Sequence, residues 1–231
     1  MISIKENYEA VLEKIKETCE NSNRSFEEVK VVAVSKTFPS ETIAQAYDVG
    51  IRTFGENYAQ ELRDKVRELE KYKDIEWHFI GRIQLNKLKY IVPNVYLIHS
   101  VTRLEEIEKI NTIARRFEKI QKVLIQVNVS GEETKAGIAP DEIKDILYKS
   151  LEYDSVKIVG LMTMAPFVDD PEKVRWVFSK LKEIQKELSK EFPEIKDLSM
   201  GMSGDFTVAI EEGATIVRIG SAIFGKRQYK K

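Results

Sequence analysis

A single cysteine, Cys19, stands in a chain of 231 residues. No internal disulfide can form, and a reducing compartment is expected. Only six prolines and eleven glycines are present, and they gather into no linker or low-complexity tract. The chain therefore reads as one domain, residues 1–231. Its two histidines, His78 and His99, lack the clustered spacing of metal ligands, so no structural zinc is expected. No apolar run approaches the ~18 residues of a transmembrane helix. Residues Met1 to Glu6 carry neither the basic nor the apolar segment of a signal peptide. An excess of one charge is missing too: 37 Lys+Arg against 38 Asp+Glu leave a formal charge of −1. Neither nucleic acid nor a membrane is expected as the main partner. These exclusions leave a soluble, cytoplasmic protein. Charged residues reach 32% of the chain, a share that suits a heat-adapted source.

What is present is an alternation of two periods. Eight short runs rich in Val and Ile are separated by stretches with helical spacing. The runs are Val29 to Ser35, Ile51 to Phe54, Glu76 to Ile80, Val95 to Ile98, Val123 to Val129, Lys157 to Met162, Asp197 to Met200, and Thr215 to Ile219. Several are continuously apolar, as parallel strands buried on both faces require. Between them, Leu104, Ile107, Ile110, Ala114 and Phe117 make a helical stripe behind a capping arrangement of Thr102 and Glu105. Asp170 and Pro171 open another helix, whose stripe is Val174, Phe178, Leu181, Ile184 and Leu188. Gly213 is placed to close a helix that begins near Ser203. An initial helix and eight β/α alternations predict a (β/α)8 TIM barrel with an extra N-terminal helix. An open doubly wound sheet is the alternative, but Ser35-Lys36-Thr37-Phe38-Pro39 stands where its glycine-rich turn belongs.

In such a barrel the chemistry sits at the C-terminal ends of the strands. Read in order, those ends offer Lys36, Glu56-Asn57, Gly81, His99-Ser100, Asn128, Thr163, Ser203-Gly204, and Arg218 before Gly220-Ser221. Lys36 shares a strand face with Val32 and Val34. On an apolar wall a lysine loses hydration, and its neutral amine can attack a carbonyl to form a Schiff base. A strand-end lysine reaching to solvent is the plainer alternative. Phosphate in these barrels is commonly held by the loops after strands seven and eight. Here Met200-Gly201-Met202-Ser203-Gly204 and Ile219-Gly220-Ser221 occupy those loops, with Ser203 as N-cap of the following helix. Arg218, if it points inward, needs an anion, a ring acceptor or a carboxylate such as Glu56; pointing outward, it makes a surface ion pair. A reactive lysine, a phosphate cradle and an acceptor-seeking arginine describe a site for a phosphorylated aldehyde. Pyridoxal 5′-phosphate (PLP) is the commonest such cofactor.

The sequence resembles the pyridoxal-phosphate homeostasis proteins, whose fold is that of the N-terminal barrel of alanine racemase. The resemblance is carried by Val32-Ala33-Val34-Ser35-Lys36-Thr37, Phe54-Gly55-Glu56-Asn57-Tyr58 and Trp77-His78-Phe79-Ile80-Gly81. It continues through Ser130 to Gly137, Gly160 to Met164, Leu198 to Ser203 and Val217 to Gly225. It implies that Lys36 carries PLP as an aldimine and that Ser203, Gly220 and Ser221 hold the phosphate. It also implies that Arg218 faces the pyridine nitrogen and that Asn57 lies near the ring. Ser221 stands where many relatives carry Thr, which keeps the hydroxyl. An arginine at the pyridine nitrogen only donates, so the ring is a poor electron sink. The chain also has no counterpart of the β-rich racemase domain that supplies an opposing tyrosine.

The resemblance thus implies a protein that binds PLP and buffers or delivers it to PLP-dependent apo-enzymes; a barrel without the racemase partner domain is expected to be a monomer. The competing expectation is an enzyme, such as a weak amino-acid racemase, with Tyr58, His78 or His99 moving the second proton. His78, between Trp77 and Phe79, reads as a hydrogen-bonded core residue, and His99 as a group just behind the site. Lys135 is read as paired with Glu132 and Glu133, and Lys226, Arg227, Lys230 and Lys231 as a solvated basic end.

Overall fold

The computed structural model describes residues 3–132 and 136–225. Lys135 and the basic end from Lys226 to Lys231 lie outside the described residues. Eight parallel strands close in sequence order, β1 against β8, into one barrel. They are β1 (Lys30–Val34), β2 (Thr53–Glu56), β3 (Glu76–Phe79), β4 (Leu97–Val101), β5 (Gln121–Gln126), β6 (Val156–Met162), β7 (Asp197–Met202) and β8 (Ile216–Ile219). The helices are α1 (Ile4–Asn21), α2 (Ser40–Asp48), α3 (Ala59–Glu68), α4 (Leu88–Ile91), α5 (Leu104–Arg116), α6 (Ile143–Ser150), α7 (Arg175–Leu188), α8 (Phe206–Glu211) and α9 (Ser221–Phe224). Among the described residues no helix is long and apolar enough to cross a membrane.

Strand parity divides the buried side chains into two sets. Outward residues such as Ala33, Phe54, Phe79, Ile98, Ile125, Leu198 and Val217 pack under the helices in one continuous core. Val32, Leu97, Leu124, Met162 and Ile216 form a separate cluster inside the barrel. Cys19 is buried with Val11 and Ile15 along α1, and burial pushes its thiol up. That helix also braces the mouth, because Asn7 Nδ2 donates to Ile223 O at 2.9 Å and so pins α9.

Strands β2 and β4 begin and end later than their apolar runs predict. The apolar runs end at Phe54 and Ile98, yet Glu56, His99 and Ser100 continue the strands, because each finds a buried partner. The α5 cap differs as well: Glu106 Oε2, not Glu105, accepts from Thr102 N at 2.7 Å. Asp170 caps as expected, accepting from Glu172 N at 3.1 Å, but opens a 3-10 turn ahead of α7. Gly213, at φ +98°, follows α8 in the left-handed conformation that closes a helix.

Candidate cofactor site

Lys36 lies one residue beyond Ser35 at the mouth end of β1, half-buried. The turn that carries it is gripped on both sides from α3. Lys65 Nζ donates to Ser35 O at 2.9 Å, to Glu56 Oε1 at 2.7 Å and to Glu61 Oε1 at 2.7 Å. Glu61 Oε1 also accepts from Thr37 N at 2.6 Å, which holds Thr37 at φ +70°, a conformation a β-branched residue rarely adopts. Glu56 therefore faces outward to α3 and not into the mouth, and it is not the partner of Arg218. Its Oε1 accepts from Ser35 Oγ at 2.6 Å, while Oε2 is buried without a partner. Burial outweighs the adjacent ammonium and pushes the Glu56 carboxyl up to about 7.

Arg218 points inward, one of the two orientations its place in the sequence allows. It is 4% exposed. Its Nη1 donates to Ser199 Oγ at 2.5 Å and its Nη2 to Thr163 O at 2.9 Å. Among the described residues no carboxylate lies within ion-pair distance; Asp205 is the acidic group whose field reaches it. Burial brings the guanidinium down to about 10. A buried cation bonded only to a hydroxyl and a carbonyl is incompletely compensated.

The two loops expected to hold phosphate are stitched together. Ser203 Oγ accepts from Gly220 N and from Ala222 N, both at 3.2 Å. Ser203 is thus not the N-cap of α8, which starts at Phe206 behind Asp205. Asp205 Oδ1 accepts from Met202 N at 2.6 Å and shapes the loop instead. The loop also needs Gly201, which sits at φ +91°, where an added Cβ would meet Ala209 Cβ at 2.7 Å. Gly201→Ala is expected to cost about 2–4 kcal/mol, combining left-handed strain with overpacking. Urea unfolding checks this, and an unchanged midpoint would contradict it.

Gly220 lies against Val34, whose Cβ would stand 3.5 Å from a Cβ on the glycine. The phosphate-type loops therefore flank the end of β1 and Lys36. Asn57 closes the other side, its backbone packed under Gly81 and its Oδ1 buried with no protein partner. Ser221 starts α9 and is exposed. The structure thus brings Lys36, Asn57, Ser203, Arg218, Gly220 and Ser221 to one barrel end. Tyr58 is there too, 56% exposed. His78 and His99 are not at the mouth. Both are fully buried in the barrel and bonded to each other, a contact that their chain positions alone did not disclose.

Comparison with known proteins agrees with this geometry. A family profile described as "Alanine racemase, N-terminal domain" matches residues 8–228. A "Pyridoxal phosphate homeostasis protein" of Aquifex aeolicus is 47% identical over 225 residues, covering 97% of this chain and 98% of its own length. The protein of the same description from Escherichia coli K12 is 38% identical over 236 residues, covering both chains completely. Among solved structures, PipY of Synechococcus elongatus PCC7942 with PLP bound superposes with a TM-score of 0.81 at 33% identity, over 91% of this chain and all of PipY. An alanine racemase of Clostridium difficile shares the fold at 16% identity, with a TM-score of 0.71 over 96% of this chain and 57% of the racemase. The chain belongs to the pyridoxal phosphate homeostasis protein family, built on the N-terminal barrel of alanine racemase.

Proposed function

We propose that this protein holds pyridoxal 5′-phosphate reversibly at Lys36 and serves as a reserve of it for PLP-requiring apo-enzymes, acting as a monomer and without robust turnover. The observation that carries this reading is the buried Arg218 guanidinium, which has no carboxylate partner among the described residues and lies beside loops whose N–H groups and hydroxyls suit an anion. The polar groups suit the cofactor: an amine at Lys36, hydroxyls at Ser203 and Ser221, the backbone N–H groups of Gly220 and Ala222 that converge on Ser203 Oγ, and the Asn57 Oδ1 acceptor, which has no partner among the described residues. When bound, the cofactor supplies an aldehyde that forms a reversible carbon–nitrogen bond with an amine. Lys36 would hold that carbon, Ser203, Gly220 and Ser221 the phosphate, Arg218 the ring nitrogen, and Asn57 the ring edge. Arg218 donates a hydrogen bond without giving up its proton, so the ring nitrogen stays an acceptor and carbanion chemistry gains little support. Two of the three candidate proton carriers for an enzyme, His78 and His99, are committed inside the barrel. Tyr58 alone faces the mouth.

Titrating the purified protein with PLP is expected to give a visible absorption band that saturates at one equivalent per chain. A band that keeps growing with added cofactor would mean scattered surface lysines and would contradict the reading. Ser203→Ala is expected to weaken binding about tenfold, the worth of roughly one hydrogen bond to a charged group. The enzyme reading is favoured by the racemase fold and is tested on L-alanine. Racemisation well above that of free PLP, and lost in Tyr58→Phe, would replace the reserve reading.

A further inference from the structure

The interior of this barrel is only partly apolar. Beside Val32, Leu97, Leu124, Met162 and Ile216 runs a file of polar side chains that links the mouth to the floor. Arg218 Nη1 bonds Ser199 Oγ at 2.5 Å, and Ser199 Oγ meets His99 Nδ1 at 2.8 Å. His99 Nε2 meets His78 Nδ1 at 2.8 Å, and His78 Nε2 meets Glu76 Oε1 at 2.9 Å. Glu76 Oε1 also accepts from Lys30 Nζ at 2.6 Å. That ion pair lies at the opening ends of β1 and β3, beside a floor cavity of about 230 Å³ lined in part by Tyr96, Lys122 and Asp197.

The direction of every bond follows from the carboxylate end. Burial pushes both imidazoles away from the charged form, so each carries one ring proton. The Glu76 carboxylate only accepts, which places the His78 proton on Nε2 and leaves its Nδ1 to accept. His99 therefore donates from Nε2 to His78, and its Nδ1 accepts from Ser199 Oγ, which itself accepts from the Arg218 guanidinium. Both imidazoles are then neutral Nε2–H tautomers. The groups facing His78 are Glu76 on its own strand, Lys30 from β1, His99 from β4 and Asp197 from β7, with the Tyr96 ring stacked on it. His99 faces His78, Ser199 and Arg218.

Barrel interiors are filled most simply by branched apolar side chains. Replacing a buried polar network by apolar groups of like volume is often neutral or stabilising. Stability alone therefore does not account for a file that ends on the buried Arg218 guanidinium at the mouth. We propose that His99 and His78 are positioning residues: with Ser199 they form a one-directional hydrogen-bond relay that orients Arg218 toward the cofactor ring and ties it to the Glu76–Lys30 ion pair on the opposite face of the barrel. The outer end of this inference rests on the PLP reading above. His99 draws the Ser199 proton away from Arg218, so the serine oxygen offers the guanidinium a lone pair. Thr163 O holds the second nitrogen, and the two acceptors together fix the guanidinium plane. Without His99 the Ser199 hydroxyl loses its acceptor, rotates, and no longer holds Arg218 in one orientation.

The first test needs no cofactor and no substitution. Nitrogen-15 NMR of the unliganded protein near pH 7.5 is expected to show both histidines neutral with the proton on Nε2. An Nδ1–H tautomer at either histidine, or an imidazolium, would overturn the relay. The second test compares PLP affinity and the ring-nitrogen shift of bound 15N-labelled PLP in wild type, His99→Phe and His99→Asn. Phe fills the core but breaks the relay, whereas the Asn Oδ1 stands near Nδ1 and can still accept from Ser199. The relay predicts affinity about tenfold weaker in His99→Phe with a displaced ring-nitrogen shift, and partial recovery of both in His99→Asn. A purely structural histidine predicts the reverse order, and that result would overturn the proposal. If His99→Phe does not fold, His78→Phe and the tautomers of the wild type decide the matter. A wild type that binds no PLP, yet shows both Nε2–H tautomers, overturns the cofactor reading instead.

Discussion

Lys36→Ala is expected to abolish the visible band formed with PLP while leaving the fold intact. Lys36 is half-buried at a turn, and the groups that shape that turn are not its own. Lys65 and Glu61 hold the backbone at Ser35 and Thr37, so truncating the side chain between them removes none of those bonds. A substitution of this kind typically stays within ~0.5 kcal/mol in stability. The phosphate and ring contacts would survive, so residual binding that lacks the lysine-linked band should persist and be displaced by inorganic phosphate. Circular dichroism and thermal unfolding check the first half, and absorbance of the loaded protein the second. A band of full strength in Lys36→Ala would place the amine elsewhere on the chain.

The second large effect concerns the clamp beneath that turn. Lys65→Met is expected to destabilise the protein by about 3–5 kcal/mol at pH 8, the cost of leaving a buried charge without its partner. The stranded group is Glu56, which has no exposed surface and loses its ammonium partner at 2.7 Å. At pH 5 the loss should be clearly smaller, because the Glu56 carboxyl can then take up a proton. The sign follows from its pKa, pushed up to about 7 from an ordinary 4.5. A raised carboxyl stabilises the fold below 4.5 and loses that contribution as pH rises through 7, by roughly 3 kcal/mol over the window.

His78 and His99 act in the opposite sense. Held neutral by burial, they favour the fold above their ordinary 6.5 and oppose it as pH falls below that value. In the wild type the two trends offset each other between pH 4.5 and 7. Glu56→Gln removes one of them, so its stability should fall with acid from pH 6.5 more steeply than the wild type. Urea unfolding at pH 5, 6 and 8 reads both variants. Equal losses for Lys65→Met at pH 5 and 8, or parallel pH curves for Glu56→Gln and wild type, would contradict the assigned proton balance.

The barrel was legible because its signals are local. Continuous Val/Ile runs and helical stripes repeat eight times, and each needs only its own neighbours to be read. The placement of the mouth residues was legible because the fold puts strand ends and the glycine-rich loops after strands seven and eight at one barrel end. The bonds that organise them were not, since they join residues far apart in the chain. Ser203 reads locally as a helix cap, yet barrel closure delivers the N–H groups of Gly220 and Ala222 to its hydroxyl. Glu56 reads as a mouth residue beside Asn57, but strand parity turns it outward, where Lys65 waits on α3. His78 and His99 are 21 positions apart and meet only because β3 and β4 are neighbours with both side chains inward. Polar residues inside strands were the common cause of error, for they shortened β2 and β4 in the sequence and carried the least local information.

Lys36 alone is proposed to hold the cofactor. Reducing the PLP-loaded protein with borohydride and mapping the modified peptide by mass spectrometry tests it most directly. A single phosphopyridoxyl group per chain is expected, on the peptide containing Val34-Ser35-Lys36-Thr37. Label spread over surface lysines, or concentrated on any lysine other than Lys36, would contradict it.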